Sequence, residues 1–372
     1  MHLLEKIKDY RIKKKTPFLI INKDRIKEKY HLFANILEEA EIYFSVKANS
    51  NSQVIKTLMD LGSGFDVASV GELNIVLRQG GDPSKVSFSA PTKIPWHITE
   101  AYKKGVRFFA FDSKAELEKI ARLAPQSSVF CRVAVPNKGS EWPLLGKFGV
   151  EPKGVVPLLK YAQTLGLKPS GTAFHVGSQC LRPQTWVEAL KIMDRIWREA
   201  KENSLDLELL NLGGGFPVRY QKDIPYIPFI LRLIKKTIKN LFPKGIRLIL
   251  EPGRAIIGDA GILVASVINY AHRGSGLWVY LDTGVYNGLL EILEGFSYEI
   301  VTEKDSLSER VEATLAGPTC DSTDIIARNI SLPPLEIGDK VFFLNAGAYT
   351  ISYENYNGIP FPEVVFSEST EK

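Results

Sequence analysis

Short apolar runs alternate with amphipathic stretches through the first two thirds of the chain. The apolar runs are rich in β-branched and aromatic residues and are bounded by turn-forming residues, which predicts strands. There are eight of them: Ile42–Lys47, Gly64–Ala68, Val86–Ser89, Phe108–Phe111, Val129–Val135, Gly171–His175, Leu207–Leu212 and Leu248–Glu251. Most are separated by stretches of helical periodicity, such as Gln53–Leu61, Gly71–Leu77, Ala115–Leu123, Gly154–Leu165, Trp186–Glu202 and Pro228–Leu241.

This alternation of strands and helices predicts an α/β fold with parallel strands. Eight repeats are the number that closes a (β/α)₈ barrel. The main alternative is an open, doubly wound sheet. The first strand–helix turn lacks the glycine-rich dinucleotide-binding fingerprint that would favour that alternative.

The pattern changes after about residue 260. Strand-like runs follow one another there without long helices between them: Gly261–Tyr270, Leu277–Leu281, Tyr298–Val301, Arg310–Leu315 and Lys340–Leu344. We predict a mainly antiparallel β-domain, and the strand-like Phe18–Ile21 is a candidate to pair with it. The predicted division is a barrel over residues 24–258 and a β-domain made of residues 1–23 and 259–372.

Composition narrows the classes of function. The chain has 372 residues, is 45% hydrophobic and carries a net charge of +5, so it can bury a sizeable core and is not expected to bind nucleic acid. Its three cysteines, Cys131, Cys180 and Cys320, are too few for a disulfide framework and fit a reducing compartment. We find no signal peptide and no run that would span a bilayer. A soluble cytoplasmic protein without membrane or metal partners is expected.

Chemically useful residues stand at the ends of the predicted barrel strands, which is where barrel enzymes carry their active sites. They are Lys47, Asp66, His175 with Ser178, the triplet Gly213, Gly214 and Gly215, and Glu251 with Arg254. Burial lowers the pKa of a lysine, and a neutral amine forms a Schiff base with an aldehyde such as pyridoxal 5'-phosphate (PLP). The alternative for Lys47 is an ordinary lysine with its amine in water.

The other strand-end residues also suit PLP. The glycines let backbone N–H groups approach a phosphate, and a following helix would add its positive N-terminus; the alternative is a tight turn. Arg254 would contact the same phosphate, or else form a surface ion pair. Glu251 would pair with the pyridine nitrogen, or else with Arg254 in a buried ion pair. His175 would stack on the ring, or else be structural.

Two loops of the β-domain present further reactive groups. Gly317-Pro318-Thr319-Cys320-Asp321 offers a thiol and a carboxylate, although a cysteine is more often a buried apolar side chain. Asn345-Ala346-Gly347-Ala348-Tyr349-Thr350 places the Tyr349 hydroxyl after a glycine turn, from which it would reach a phosphate. The alternative for Tyr349 is an aromatic core residue.

Taken together, these motifs resemble those of PLP-dependent decarboxylases of the alanine-racemase-like fold, specifically the ornithine/lysine decarboxylase branch. The matching segments run in family order: Val46–Asn49, Phe65–Ser69, His175–Ser178, Gly213–Pro217, Glu251–Arg254, Gly317–Asp321 and Gly347–Thr350. The resemblance covers nearly the whole chain, from residue 43 to about 361.

The resemblance implies a role for each position. Lys47 would carry PLP, with Asp66 and Glu72 orienting its surroundings, and His175 would stack on the ring. Glu251 would hold the pyridine nitrogen. The phosphate would be held by Ser178, the glycine loop, Arg254 and Tyr349.

In this family the Cys-Asp loop enters the active site of the other subunit. Cys320 would then protonate the carbon left after carbon dioxide departs, and Asp321 would bind the distal ammonium of the substrate. The site would be complete only in a homodimer.

The segment Val285–Glu294 matches the specificity helix of the family and offers Tyr286, Glu291 and Glu294 as substrate ligands. Diaminopimelate decarboxylases are expected to carry an arginine there, and this chain has none. Glu291 and Glu294 share a helix face and suit a cationic substrate, or else are simply solvated. Two departures bear on the substrate: Tyr356-Asn357-Gly358-Ile359 replaces Phe-Asn-Gly-Phe, and Gly295 falls near a position that is often acidic.

The predicted reaction is decarboxylation of a basic L-amino acid, with ornithine to putrescine favoured. Alternative substrates are lysine, diaminopimelate or a conjugated diamino acid from a siderophore or carboxypolyamine pathway. An amino-acid racemase is a second enzyme hypothesis, and the Cys320-Asp321 loop argues against it. A non-catalytic regulatory homologue is a hypothesis of another class, and it has no need to keep Lys47, Glu251 and Cys320 together.

Overall fold

A computed structural model describes residues 14–144, 146–274, 276–352 and 356–367 of the chain. The parts of the predicted β-domain at residues 1–13 and 368–372 lie outside the described residues.

The described strands, numbered in chain order, fall into three sheets. They are β1 (Phe18–Asn22), β2 (Ala40–Ser45), β3 (Gly64–Val67), β4 (Val86–Phe88), β5 (Phe108–Phe111), β6 (Ser128–Arg132), β7 (Ser140–Trp142), β8 (Lys168–Ala173), β9 (Ser178–Cys180), β10 (Leu209–Asn211), β11 (Arg247–Leu250), β12 (Gly261–Arg273), β13 (Gly276–Leu281), β14 (Ile300–Thr302), β15 (Val311–Ala316), β16 (Ile325–Leu332), β17 (Lys340–Leu344) and β18 (Glu363–Ser367). The described helices are α1 (Lys23–Ile36), α2 (Ser52–Asp60), α3 (Val70–Arg78), α4 (Pro95–Lys103), α5 (Lys114–Leu123), α6 (Pro152–Thr164), α7 (Gln184–Glu202), α8 (Ile227–Leu241) and α9 (Arg254–Ile257).

The eight predicted barrel strands close into one barrel. Its strand order is β10-β11-β2-β3-β4-β5-β6-β8, and every neighbouring pair is parallel. The (β/α)₈ prediction is therefore confirmed. Since all strands run the same way, their C-terminal ends meet at one mouth, where strand-end side chains converge.

Aromatic and aliphatic side chains fill the inside of the barrel. Tyr43, Phe108, Phe130, Leu209 and Ile249 form a buried cluster with two alanines. Arg247 caps this layer by donating to the Tyr43 hydroxyl at 2.7 Å. The barrel is thus a packed core whose rigidity fixes the strand ends above it.

The sequence analysis did not single out three of the described helices, α1, α4 and the four-residue α9. Helix α4 begins with Pro95 and buries only Ile98 and Ala101, so its apolar stripe is too sparse to stand out. A two-stranded ribbon of β7 and β9 at the mouth was also not predicted, because each strand has only three residues.

The β-domain is mainly antiparallel, as predicted. Strand β12 pairs antiparallel with β1, β13 and β17, and β15 pairs antiparallel with β16. The pairing of Phe18–Ile21 with this domain is confirmed, since Phe18 lies opposite Val264. Two pairs, β13 with β15 and β1 with β18, are parallel. Within the described part of the chain, no helix is both long enough and apolar enough to cross a membrane.

Candidate active site

Lys47 lies at the centre of the barrel mouth. It belongs to a 3₁₀ turn, Val46–Ala48, that directly follows β2. Its side chain lines a cavity of about 280 Å³, called the Lys47 cavity below, and also an adjoining space of about 250 Å³. His175, Glu251 and Ser45 line both spaces with it. The strand-end residues therefore converge on Lys47.

The charge state of Lys47 differs from the expectation. Burial lowers the pKa of its amine, but Tyr349, Asp66 and Glu251 together outweigh burial and the nearby Arg132 guanidinium. The net result is a pKa above the ordinary lysine value, so the predicted lowering was wrong. Without a cofactor the amine is an ammonium among acidic neighbours, because its surroundings supply more negative charge than burial penalises.

Glu251 follows β11 and is held by two neutral donors. The Asn211 side-chain amide donates to its Oε1 at 2.6 Å, and the Ser89 hydroxyl donates to the same oxygen at 2.7 Å. Burial, with the charge of Asp66, raises the pKa of Glu251 to about 7. Neither donor is cationic, so the alternative of a buried pair with Arg254 was wrong. The two bonds fix the carboxyl in place on the cavity wall.

His175 is held in one orientation by the loop that follows it. The backbone N–H of Gly177 donates to its Nδ1 at 3.0 Å, and the Asn137 amide donates to its backbone oxygen at 3.1 Å. Burial, together with the charges of Arg132 and Lys47, keeps the pKa of the imidazole well below its ordinary value. The ring is therefore neutral, with its proton on Nε2, and can lie flat against an aromatic cofactor.

Two carboxyls border the Lys47 turn. Asp66, on β3, accepts a hydrogen bond from the Ser45 hydroxyl at 2.8 Å. Glu72, on α3, accepts from the Ala68 backbone N–H at 2.7 Å, and burial raises the pKa of its carboxyl to about 7. Ser69 caps the same helix by accepting from the Glu72 N–H at 3.2 Å. These bonds fix both carboxyls beside the amine.

The glycine triplet forms a cradle that a side chain would fill. A Cβ on Gly213 would lie 2.1 Å from the Phe174 carbonyl oxygen, and one on Gly215 would lie 2.3 Å from that of Gly177. Among the described residues, no acceptor faces the backbone N–H groups of Gly214, Gly215 and Phe216. Close backbone approach and free donors are what a phosphate group needs, so the loop fits one.

The helix expected directly after the triplet is absent from that place. Helix α8 begins only at Ile227. The nearest helix start at the cavity is instead α9, whose N-cap Gly253 and first residue Arg254 line it. The prediction placed the positive helix end after the wrong strand, because the chain after β10 is irregular and forms no helix before Ile227.

Arg254 is buried and paired with Glu291. Its two terminal nitrogens donate to the Glu291 carboxylate at 2.5 and 2.7 Å, and one of them also donates to the Tyr220 hydroxyl at 2.8 Å. Its Nε donates to the Ser178 hydroxyl at 3.3 Å. The alternative of a surface ion pair was wrong. Most of the Arg254 donors are already used by Glu291 and Tyr220. Its influence on the glycine cradle is therefore mainly indirect, through the hydrogen bond to Ser178.

This pairing also corrects the interpretation of Glu291. Its carboxylate is buried on Arg254 and is not available as a primary ligand for a substrate, nor is it the solvated residue of the alternative. The predicted helix face is a 3₁₀ turn, Leu290–Glu294, in which residues three apart stack above one another. Glu294, one turn further, is exposed and lines the cavity. Among the described residues it has no hydrogen-bond or ion-pair partner.

Tyr349 joins the β-domain to the mouth. Its backbone N–H donates to the Ala48 oxygen at 2.7 Å, and its φ of +61° is strained for a tyrosine. The ring lies 4.8 Å from the Arg254 guanidinium, half-buried on the cavity wall. It is therefore not the buried core residue of the alternative.

Cys320, Asp321 and Tyr286 lie elsewhere. Cys320 is exposed, so the alternative of a buried apolar cysteine was wrong. Asp321 accepts from the Thr323 and Tyr356 hydroxyls at 2.6 and 3.0 Å, and these bonds lower the pKa of its carboxyl. Tyr286 stacks on Tyr356 at 4.3 Å. None of the three lines the Lys47 cavity within the described chain.

Sequence reasoning missed three residues at the mouth: Arg132, Ser89 and Asn211. Arg132 ends β6 and stands beside Lys47 and His175, while Ser89 follows β4 and Asn211 ends β10. The rule that found Lys47 would have found them, because each is a polar residue at a barrel strand end.

Comparisons with known proteins identify the family of this chain. The family described as "Pyridoxal-dependent decarboxylase, pyridoxal binding domain" matches residues 23–258. The lysine/ornithine decarboxylase of Selenomonas ruminantium is 36% identical over 360 residues, covering 96% of this chain and 91% of that protein.

Two solved structures share the fold over nearly the whole chain. The lysine/ornithine decarboxylase of Vibrio vulnificus, complexed with cadaverine, is 30% identical with a TM-score of 0.90 and covers 98% of each chain. The arginine decarboxylase of Paramecium bursaria Chlorella virus is 26% identical with a TM-score of 0.91, covering 98% of this chain and all of that one. This chain therefore belongs to the pyridoxal-dependent decarboxylases of fold type III, and pyridoxal 5'-phosphate is its cofactor.

Proposed function

We propose that this enzyme decarboxylates a basic L-amino acid to a diamine, with ornithine converted to putrescine as the favoured reaction. The observation that carries the proposal is the free carboxylate of Glu294 on the wall of the Lys47 cavity. A cationic side chain would find its counter-charge there. The segment 285–294 offers no arginine to a second carboxylate, which disfavours diaminopimelate. The relatives named for ornithine, lysine and cadaverine support the same class of substrate.

Residues of the barrel mouth would hold the cofactor. Lys47 would bond to it, His175 would lie against its ring, and Glu251 would bind its pyridine nitrogen. The cradle from Gly213 to Gly215, with Ser178 and Tyr349, would receive the phosphate. When bound, PLP supplies the electron sink for the charge left as the carbon–carboxylate bond breaks. We infer that residues 24–258 form the cofactor-binding domain and that the remainder forms the β-domain.

The other half of the site would come from a second subunit. Cys320 and Asp321 would be the acid and the carboxylate that the reaction needs, and neither lines the cavity of its own chain. In a homodimer Cys320 from a second subunit would donate the proton to the carbon after carbon dioxide leaves. Asp321 from that subunit would share the distal ammonium with Glu294.

A substrate panel tests the proposal. Purified enzyme loaded with PLP is incubated separately with ornithine, lysine, arginine and diaminopimelate, and carbon dioxide and amine products are quantified. We expect ornithine to have the highest kcat/KM, lysine to follow, and diaminopimelate to be poor. Preferential decarboxylation of diaminopimelate would refute the assignment of Glu294, and preference for lysine or arginine would refute the choice of ornithine.

A further inference from the structure

A cavity that Lys47 does not line, called the second cavity below, shares a wall residue with the Lys47 cavity. It has a volume of about 290 Å³, and its walls include Glu141, Tyr220, Lys222, Glu294 and Phe296. Glu294 lines both cavities. The two spaces therefore meet at the residue that carries the free carboxylate.

Two aromatic rings separate the cavities. Trp142 lines the Lys47 cavity, Phe296 lines the second cavity, and their ring centroids are 5.6 Å apart at 43°. Leu144 stands beside Trp142 on the Lys47 side, whereas Glu141 faces the other side. The Trp142–Phe296 pair is thus an apolar partition between the two cavities, both of which Glu294 also lines.

The Phe296 side of this partition is rigid. Its ring lies 4.6 Å from the Arg254 guanidinium and meets the Tyr220 ring edge-on at 5.2 Å. Arg254 is itself locked by the bidentate pair with Glu291. Any change at Phe296 would therefore disturb the cofactor side of the site as well.

The side chain of Trp142 lies outside the hydrogen bonds that hold Arg254, although the backbone of Trp142 pairs with Ser178 across β7 and β9. Trp142 is half-buried on the three-residue strand β7, whose sheet contains only β9. Among the described residues, its indole nitrogen has no hydrogen-bond acceptor, and Phe296 is its one ring contact. Shortening Trp142 would open the partition without leaving a buried charge or an unpaired polar group.

We propose that Trp142 is a specificity-determining residue, which closes the distal end of the Lys47 cavity and sets the length of the substrate side chain. This inference rests on the proposed function, because it takes a linear diamino acid as the substrate. With the partition removed, a longer aliphatic chain would extend into the second cavity while Glu294 still meets its cationic end. The substrates gained would be diamino acids with more methylene groups than ornithine.

The test compares Trp142→Ala with wild type and two other variants. Trp142→Phe keeps an aromatic ring at the partition, and Trp96→Ala removes an exposed tryptophan on α4 that lines neither cavity. For each enzyme, kcat/KM is measured with ornithine, lysine and homolysine. Two substrates that differ by one methylene in a hydrophobic pocket can differ in kcat/KM by about 10- to 200-fold. We expect Trp142→Ala to raise the lysine-to-ornithine ratio by about ten-fold or more, and both other variants to stay within about three-fold of wild type.

A binding measurement supplies a second readout. Calorimetry of the PLP-loaded enzymes with putrescine, cadaverine and 1,6-diaminohexane should show the preference of Trp142→Ala moved toward the longer diamines by a similar factor. PLP affinity, followed by cofactor absorbance, should stay at the wild-type value. If Trp142→Ala does not fold, Trp142→Leu takes its place with the same expectation in direction.

The outcomes separate the two proposals. An unchanged length preference in folded Trp142→Ala or Trp142→Leu, by kinetics and by calorimetry, overturns the role of Trp142. Failure of wild type to decarboxylate any basic amino acid overturns the proposed function instead. In that case the diamine calorimetry still decides whether Trp142 limits the length of a bound chain.

Discussion

The barrel mouth and the Cys320-Asp321 loop hold their chemical groups in very different ways. At the mouth, the half-buried Glu251 accepts from two donors, and His175 is fixed by a backbone N–H. The loop instead presents Cys320 to solvent and ties Asp321 to surface hydroxyls. The residues proposed to hold the cofactor are thus fixed within one chain, whereas Cys320 and Asp321, proposed for the proton and the substrate, do not line the cavity of their own chain.

This difference follows from how the two regions are built. Parallel strands deliver the mouth residues from a packed barrel, so their positions are set by the same packing that stabilises the fold. The loop joins β15 and β16 and is anchored by the buried Asp324, but it leaves Cys320 exposed and outside the Lys47 cavity. We infer that cofactor binding belongs to the single chain and that substrate recognition depends on a second subunit.

Removing Lys47 should have the largest effect on the mouth. Lys47→Ala should abolish covalent attachment of PLP and lower activity by about three orders of magnitude or more, because Lys47 is the lysine that lines both spaces. Absorbance of the bound cofactor and reduction with borohydride measure the attachment. Lys56→Ala, on the exposed face of α2, is the control and should behave as wild type. A Lys47→Ala protein that keeps a borohydride-reducible adduct and normal turnover would contradict the assignment.

Substitutions of Glu294 and Glu291 should have different effects on substrate turnover and on stability. Loss of one charge-assisted hydrogen bond costs about 1.5–3 kcal/mol, so Glu294→Gln should lower kcat/KM for ornithine about ten- to a hundred-fold with PLP affinity intact. Glu291→Gln should act differently. It removes the negative charge that compensates the buried Arg254, which should cost up to about 3–5 kcal/mol of stability, lower the Tm and weaken PLP binding.

Steady-state kinetics, thermal denaturation and cofactor titration of the two variants check this contrast. If Glu294→Gln leaves ornithine turnover unchanged, the distal ammonium is held by Asp321 alone. If Glu291→Gln raises only the KM for ornithine, Glu291 is a direct ligand and its pairing with Arg254 is secondary.

The smallest of these expected effects is the contribution of His175 to the pH dependence of the free energy of unfolding. Its pKa is held below the ordinary value in the folded chain, so below pH 6.5 the unfolded chain binds a proton that the folded chain does not. The free energy of unfolding should therefore fall as pH falls, by roughly 1 kcal/mol between pH 6.5 and pH 5.5 from this group. Denaturant titrations of the cofactor-free protein measure it. His175→Phe should lose that part of the pH dependence, and an unchanged slope would contradict a neutral His175.

The sequence predicted the barrel better than the details of the site. Eight periodic strands are set by local composition, and the residues that end them converge because the strands are parallel. Local sequence patterns could not predict which residues pair with Arg254 and Glu251. Arg254 lies three residues from Glu251 in the chain yet pairs with Glu291 in the β-domain, because tertiary packing brings that segment closer in space.

The charge of Lys47 shows the same limit. Burial alone predicts a lowered pKa, and the sign reverses only when Asp66, Glu251 and Tyr349 are placed around the amine. These residues come from two barrel strands and a β-domain loop. Their summed effect depends on distances that no local pattern contains.

Mixing two inactive variants tests the division of the site between subunits most directly. Lys47→Ala and Cys320→Ala are combined under conditions where subunit exchange is shown, and decarboxylation is followed. If half of the dimers are mixed, each has one site with both residues intact, so activity should return to about a quarter of wild type. No recovery despite exchange would show that Cys320 acts within its own chain or not at all, and would contradict the account.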